Sequence, residues 1–573
     1  MLDLVFRNGT IVDGTGGPGR SGDLGVDAGR IVAIGEVADD GRTEIDATDR
    51  VVCPGFVDPH THYDAQLFWD PVASPSNLHG VTTVIGGNCG FTLAPLNPGD
   101  APYLQRMMAK VEGMPLSALE SGLDWSWRTF GDYLARLDGT LGVNAGFLVG
   151  HCAIRRAVMG AEATGHQADP GQLEAMKSLL AEGIAAGGLG FSTSLSYTHN
   201  DGDGAPVASR FADNDEVVAL CSVVAEHEGT TLEYVTDGCM QGFTEEELEL
   251  MVAMSRAARR PLNWNVLTID SADPDRYRAQ LGASVRAAEQ GARVVALTMP
   301  VLVGMNMSFL NYCALNMLPD WGEVLGLPVP ERMARLAEPR TRAHLAERAS
   351  SPDAGVFSRL TGWGGYRIGD TFSPANQGCT GRTVAEIAAE RGTQPFDTLV
   401  DIVLADELRT VLWPAPTDDD EESWRLRAEA WQSEHTLLGG SDAGAHLDRM
   451  CGAPYTTAFL ADCLRGRRLA SLESAIQMLT DAPARLFGLR ERGRIQPGWH
   501  ADLVVFDPET VDAGAMRMVN DLPGGTARLF ADATGVDHVV VNGQIIVSGG
   551  HATDARPGTL LRSGRDTHTV LVG

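Results

Sequence analysis

The sequence predicts an α/β protein: a (β/α)8 TIM-like barrel with a small β-sandwich domain assembled from both ends of the chain. Three observations carry that expectation. The middle of the chain alternates strand-like and helix-like patterns. The two ends are rich in short strands and turns. An apolar run, Val51-Val52, leads into two histidines spaced two apart, His60 and His62. Repeated strand–helix units build a parallel sheet, and about eight of them suit a barrel.

At the N-terminal end, 4–6, 10–12, 24–26 and 30–34 are strand runs, broken by turns at Asn8-Gly9, 14–19 and Ala28-Gly29. At the other end, 501–506 reads as a strand and 538–547 as a hairpin turning at Asn542-Gly543. Residues 1–54 with 482–573 are therefore expected to form the β-domain, and 55–481 the barrel. Barrel strands are expected at 82–85, 145–149, 188–192, 230–234, 262–266, 293–297 and 436–440, plus the one before His60. Apolar residues recur at three and four over 173–184 and 215–225, which predicts helices there.

Composition narrows the partners. The 573 residues are 44% hydrophobic and 21% charged, ample for a large core. Net charge is −30 and the isoelectric point is about 4.8. Such a field repels nucleic acid and anionic membranes, so neither is expected as a partner and a small-molecule substrate is. No run approaches the ~18 apolar residues of a membrane helix. The start, Met1 to Phe6, lacks the basic and apolar regions of a signal peptide. Nine scattered cysteines with no CxxC pair point to a reducing, cytoplasmic setting.

The strand ends hold the chemistry. Residues i and i+2 of a strand face one side, so His60 and His62 offer two imidazoles to a divalent metal. Asp64, two further on, points inward or supports a ligand. Cys89 lies in Gly86-Gly87-Asn88-Cys89-Gly90, whose glycines let the backbone turn sharply. A thiolate there suits zinc, although a lone cysteine is more often simply buried. His151 and Arg155 follow the third strand. They could bind substrate, polarise a carbonyl or pair with a carboxylate, or equally be structural. Asp442 follows Gly439-Gly440-Ser441 and is placed to take a proton from activated water and pass it to a leaving nitrogen. Arg155, Arg382 and Arg449 are candidates to hold a substrate carboxylate. The segment 96–136, with Met107, Met108, Trp125, Trp127 and Phe130, reads equally as a lid or a packed outer helix.

Together these motifs resemble the amidohydrolase superfamily over almost the whole chain. Pro54 to His62 resembles its first-strand signature, Gly439 to Asp442 its last-strand aspartate, and Gly493 to Val504 the re-entry into its β-sandwich. Gly86 to Gly90 is similar to the cysteine motif of the D-aminoacylase (N-acyl-D-amino-acid deacylase) group, and Gly150-His151 with Arg155 fits the same group. The resemblance implies a zinc-dependent hydrolase of N-acyl amino acids, D-amino acids favoured, with one ion rather than two. It implies His60, His62, Cys89 and Asp442 as metal residues, Asp442 being also general base and acid. His151, Arg155 and Arg449 remain the substrate-binding candidates. Hydrolysis of a cyclic amide, ureide, lactone or carbamate, or a catalytically degenerate binding protein, are the alternatives. Members often associate, so a homo-oligomer is compatible.

The chain departs from the pattern in one respect. Two metal histidines expected on middle strands are missing from 229–235 and 261–267, where Glu233 and Asn265 are the lumen-facing substitutes. Either the metal moves to His60, His62 and Asp442 with Cys89 or Glu233 as fourth ligand, or it binds weakly, or hydrolysis is lost.

Overall fold

The computed structural model describes residues 1–311 and 313–572. It divides into two compact units, Met1–Val301 with Glu422–Gly573, and Leu302–Glu421.

In the first unit, both chain ends meet in one nine-stranded sheet. The junction is the antiparallel pair Val51–Pro54 and Leu503–Phe506, in register at Cys53 and Val504. Leu2–Ile11 extends the sheet on one side and the hairpin Val536–Val541/Gln544–Ser548 on the other. Alternate residues of these strands, among them Phe6, Val26, Val52, Val505 and Val540, form the buried face. This is the period-two pattern that the sequence showed.

The alternating middle gives parallel strands at Phe56–Asp58, Val81–Gly86, Asn144–Phe147 continuing into Val149–Gly150, Gly190–Ser194, Thr231–Val235, Leu262–Trp264, Val294–Thr298 and Thr436–Leu438. Each overlaps an expected strand. The ladders run as a three-stranded and a six-stranded parallel sheet. A bridge between Thr61 and Ala443 ties the first strand's extension to the segment after the last. This is the α/β barrel-type architecture with its β-sandwich domain.

Helices pack between the strands. Pro170–Ala185 starts at an Asp169–Gln172 capping box, and Asn214–Val224 is capped by Asp213. Val57, Ile85, Leu148, Leu189, Val295, Leu297 and Leu437 form a strand core against Ala484, Leu486, Phe487 and Leu561. Residues 482–489, which the sequence reading assigns to the β-domain, thus pack on barrel strands.

The second unit lies within the chain span expected for the barrel, where no boundary was foreseen. Its core is its own: Trp321 is fully buried, stacks on Trp363 with ring centroids 5.3 Å apart, and packs with Phe396. Trp321 Nε1 donates to the Leu345 carbonyl at 2.9 Å.

All nine cysteines are buried, and none forms a disulfide. No helix of the described residues is long and apolar enough to cross a membrane.

Candidate metal centre

The first barrel strand continues as an extended segment laced to both sides. Thr61 donates its N–H and its hydroxyl to the Ile85 carbonyl, each at 2.9 Å. His62 N–H donates to Ala443 O at 2.7 Å, and Asp442 N–H to His60 O at 3.2 Å. With Thr61 fixed to the second strand, the flanking histidines turn to the opposite side. Their ring centroids lie 5.2 Å apart, nearly perpendicular.

The second strand delivers Cys89. Gly87 sits at φ +73°, and a Cβ there would lie 2.3 Å from the Leu148 carbonyl oxygen, so only glycine fits. Cys89 itself has φ +56° and is 7% exposed. The turn is pinned by Asn88 Nδ2, which donates to Ile85 O and Thr61 O, and by Asp64, whose Oδ2 accepts from Gly87 N–H at 3.2 Å. Asp64 is thus a support. Cys89 Sγ comes to 3.6 Å from His60 Nε2.

Asp442 arrives on the loop after the last strand, also with positive φ. Its Oδ1 lies 3.1 Å from His62 Nε2 and 3.7 Å from His60 Nε2. Its Oδ2 lies 3.6 Å from His446 Nε2. The Asp442 side chain is 30% exposed, whereas His62 is 1%. One oxygen therefore faces the histidines and the group remains open to solvent.

Three further groups face this cluster. Glu112 Oε2, from the end of helix Ala101–Val111, lies 3.4 Å from His62 Nε2. His199 is held by Ser194 Oγ at 2.6 Å from its Nδ1 and packs edge-on against Phe91. Glu233 accepts the Cys89 N–H at 2.8 Å and also contacts the Asn265 amide. Both Glu233 oxygens are engaged this way, and it falls outside the donor groups His60/His62/Cys89 and His62/Glu112/Asp442. Glu233, expected as a ligand, supports the Cys89 turn through its N–H.

The charges are interlocked. Burial and then the neighbouring His62 charge lower His60 to about 3, keeping that ring neutral. Burial opposes a charge on His62, but Glu112 and Asp442 outweigh it and raise the ring to about 10. Burial works to raise Asp442, yet the hydrogen bond and charge of His62 hold it below the usual carboxylate range. Burial pushes Glu112 and Glu233 upward.

A metal fits these donors. Zinc takes imidazole nitrogen, thiolate and carboxylate at 2.0–2.3 Å, and tetrahedral bonds of that length put donor atoms about 3.3–3.8 Å apart. His60 Nε2 lies 3.6 Å from Cys89 Sγ and 3.7 Å from Asp442 Oδ1, and His62 Nε2 lies 3.1 Å from Asp442 Oδ1; the donor groups that close within 4.8 Å are His60/His62/Cys89 and His62/Glu112/Asp442.

The predicted substrate groups divide. His151 bonds Thr193 Oγ1 and Glu216 Oε1, each at 2.8 Å, and Arg155 pairs with the same Glu216. Both side chains are 0% exposed. Their polar atoms serve a buried ion pair, so their assignment to substrate is corrected to a structural one. Arg382 pairs with Glu390 in the second unit. Arg449 stays near the centre: it bonds Asp448, and its charge helps lower His446 after burial. Lys110, lowered by burial and then by Arg449, lies beside it. Segment 96–136 is packed: Met107 and Met108 are fully buried, and Trp127 and Phe130 nearly so. Sequence reasoning did not pick out Glu112 or His199. The only local sign of Glu112 is an acid inside the apolar run Val111 to Met114.

Known proteins resemble this chain in sequence and fold. The chain is 29% identical to the N-acyl-D-aspartate deacylase of Alcaligenes xylosoxydans xylosoxydans over 98% of this chain and 96% of that one. It is 29% identical to D-aminoacylase of the same organism over 89% of each. The solved N-acyl-D-glutamate deacylase from Bordetella bronchiseptica, complexed with zinc and a phosphonate inhibitor, superposes with a TM-score of 0.64. It is 28% identical, over 98% of this chain and 100% of that one. The amidohydrolase family model matches residues 43–547. The matched span holds the whole cluster, and the chain belongs to the amidohydrolase family as a metal-dependent hydrolase of carbon–nitrogen bonds other than peptide bonds.

Proposed function

We propose that this protein hydrolyses the amide bond of N-acyl-D-amino acids, with one zinc ion held by His60, His62, Cys89 and Asp442. The observation that carries the reading is the approach of Cys89 and Asp442 to His60, at 3.6 and 3.7 Å, and of Asp442 to His62, at 3.1 Å, together with the solvent access of Asp442 alone among the four. A divalent ion bound there would polarise the acyl carbonyl and acidify water.

The protein's own groups account for the rest. Asp442 Oδ1 faces the histidines, which leaves Oδ2 to take a proton from the attacking water. His446 beside Oδ2 orients it. Asp442 then returns the proton to the departing nitrogen, so the amine leaves neutral. Arg449, with Lys110 beside it, holds the substrate carboxylate. The D preference rests on the deacylase relatives.

The test is release of free amine from matched N-acyl-D- and N-acyl-L-amino acids by zinc-loaded and by chelated protein. Turnover of D substrates that disappears on chelation is expected. A zinc-loaded sample that turns over none of them overturns the proposal.

A further inference from the structure

We propose that Glu112 is itself a ligand of the divalent ion in this chain, supplied from outside the barrel strands. The inference rests on the reading of the centre given above.

Position is the first support. Glu112 Oε2 and Asp442 Oδ1 approach the same nitrogen, His62 Nε2, at 3.4 and 3.1 Å. One donor atom from each of the three residues lies within 4.8 Å of the other two. His62 is thus shared between a sulfur-bearing group, with His60 and Cys89, and a carboxyl-bearing one.

Burial is the second. The Glu112 side chain is 4% exposed. Two carboxyl groups converge on one imidazole, and Glu112 has almost no access to water. Buried charge is costly unless an opposite charge compensates it, and a divalent ion does so while accepting carboxylate oxygen as a ligand.

The backbone that delivers Glu112 is the third. Helix Ala101–Val111 buries Leu104, Met107 and Met108, and Glu112 closes it by donating its N–H to Met108 O at 3.0 Å. The Glu112 carbonyl then accepts the His446 N–H. Gly113 follows at φ +57°, where a Cβ would lie 3.0 Å from His446 Nδ1 and 3.1 Å from its Cα. The helix end and the Asp442–His446 loop are therefore clasped through backbone, and this fixes the two carboxylates relative to each other. The middle strands offer no such donor: Glu233 is engaged by Cys89 N–H and Asn265.

Full-length protein, stripped by a chelator, would be titrated with Zn2+ by calorimetry and with Co2+ by visible absorption. Wild type, Glu112→Gln, Glu112→Asp and His60→Asn would be compared. Glu112→Gln is expected to bind both ions at least about tenfold more weakly and to alter the Co2+ spectrum, because even supporting groups of a metal site are worth roughly 10–100-fold. Its metal-free melting temperature should stay near that of wild type, since the amide keeps the size and shape of the side chain. Wild-type affinity and spectrum in Glu112→Gln, with the ion lost in His60→Asn, overturns the role of Glu112 and leaves the centre standing. Wild type that binds neither ion overturns the centre and this inference with it. If Glu112→Gln does not fold, Glu112→Asp decides: wild-type affinity and spectrum with the carboxylate drawn back by one methylene overturns the inference.

Discussion

Replacing Asp442 by Asn tests the chemistry most directly. The substitution preserves shape, and the Asp442 N–H bond to His60 O is untouched. It removes two capacities at once. Oδ1, 3.1 Å from His62 Nε2, becomes a neutral amide oxygen or nitrogen and a poor ligand. Oδ2, 3.6 Å from His446 Nε2, can no longer accept a proton from water. General-base catalysis is worth roughly 10²–10⁴-fold, or about 3–5 kcal/mol of barrier. With zinc saturating, kcat should therefore fall by about 10²–10⁴, and the melting transition should stay near that of wild type. The assay is amine release at rising zinc, with metal content measured on the same samples. If high zinc restores kcat to within about threefold of wild type, Asp442 is only a ligand and the proton-transfer role is refuted.

Two further outcomes follow from the geometry. Gly87→Ala places a Cβ 2.3 Å from the Leu148 carbonyl oxygen, in a backbone conformation that costs an L-residue roughly 1–2 kcal/mol. The turn must shift by about 0.7 Å to reach a permissible 3.0 Å, moving Cys89 off its partners, so zinc affinity should drop at least about tenfold; unchanged affinity and melting would contradict the account of the turn. His79 is fully buried between Thr457 Oγ1 and Ala531 O, and burial lowers it to about 4 from an ordinary 6.5. A histidine kept neutral in the fold stabilises fully above pH 6.5, and that contribution, about 3 kcal/mol, is lost as pH falls toward 4. The stability gap between wild type and His79→Gln should narrow over that range, and a constant gap would refute the assignment.

What the sequence made legible was local. Strands such as Val81–Gly86 and Val294–Thr298 are buried along their whole length, so each reads as a β-branched-rich run between turns. The Cys89 turn was visible because positive φ at Gly87 and Gly90 demands glycine around it. Partnerships across the chain were not visible. Arg155 reads like a carboxylate clamp, but its partner, Glu216, stands 61 residues away on another helix. The compact unit Leu302–Glu421 hides for the same reason, since its core joins Trp321 to Trp363 and Phe396. Glu112 lies beyond any motif because its place depends on how one helix end docks against His446.

The two departures from the family pattern make sense as one rearrangement. A carboxylate at position 233 reaches the Cys89 N–H at 2.8 Å, so it steadies the cysteine turn rather than competing for the ion. Asn265 satisfies its other oxygen. Neither residue belongs to the donor groups His60/His62/Cys89 and His62/Glu112/Asp442. The remaining donors all come from elements joined by backbone hydrogen bonds: His60 to Asp442, His62 to Ala443, and Glu112 to His446. A centre built this way draws on the first strand, the Cys89 turn after the second, the last loop and one outer helix, tied together by these main-chain contacts and by Thr61 to Ile85. His60 and His62 are buried at 5% and 1% exposure: among the described residues both share a donor group with Cys89, and His62 also shares one with Glu112 and Asp442.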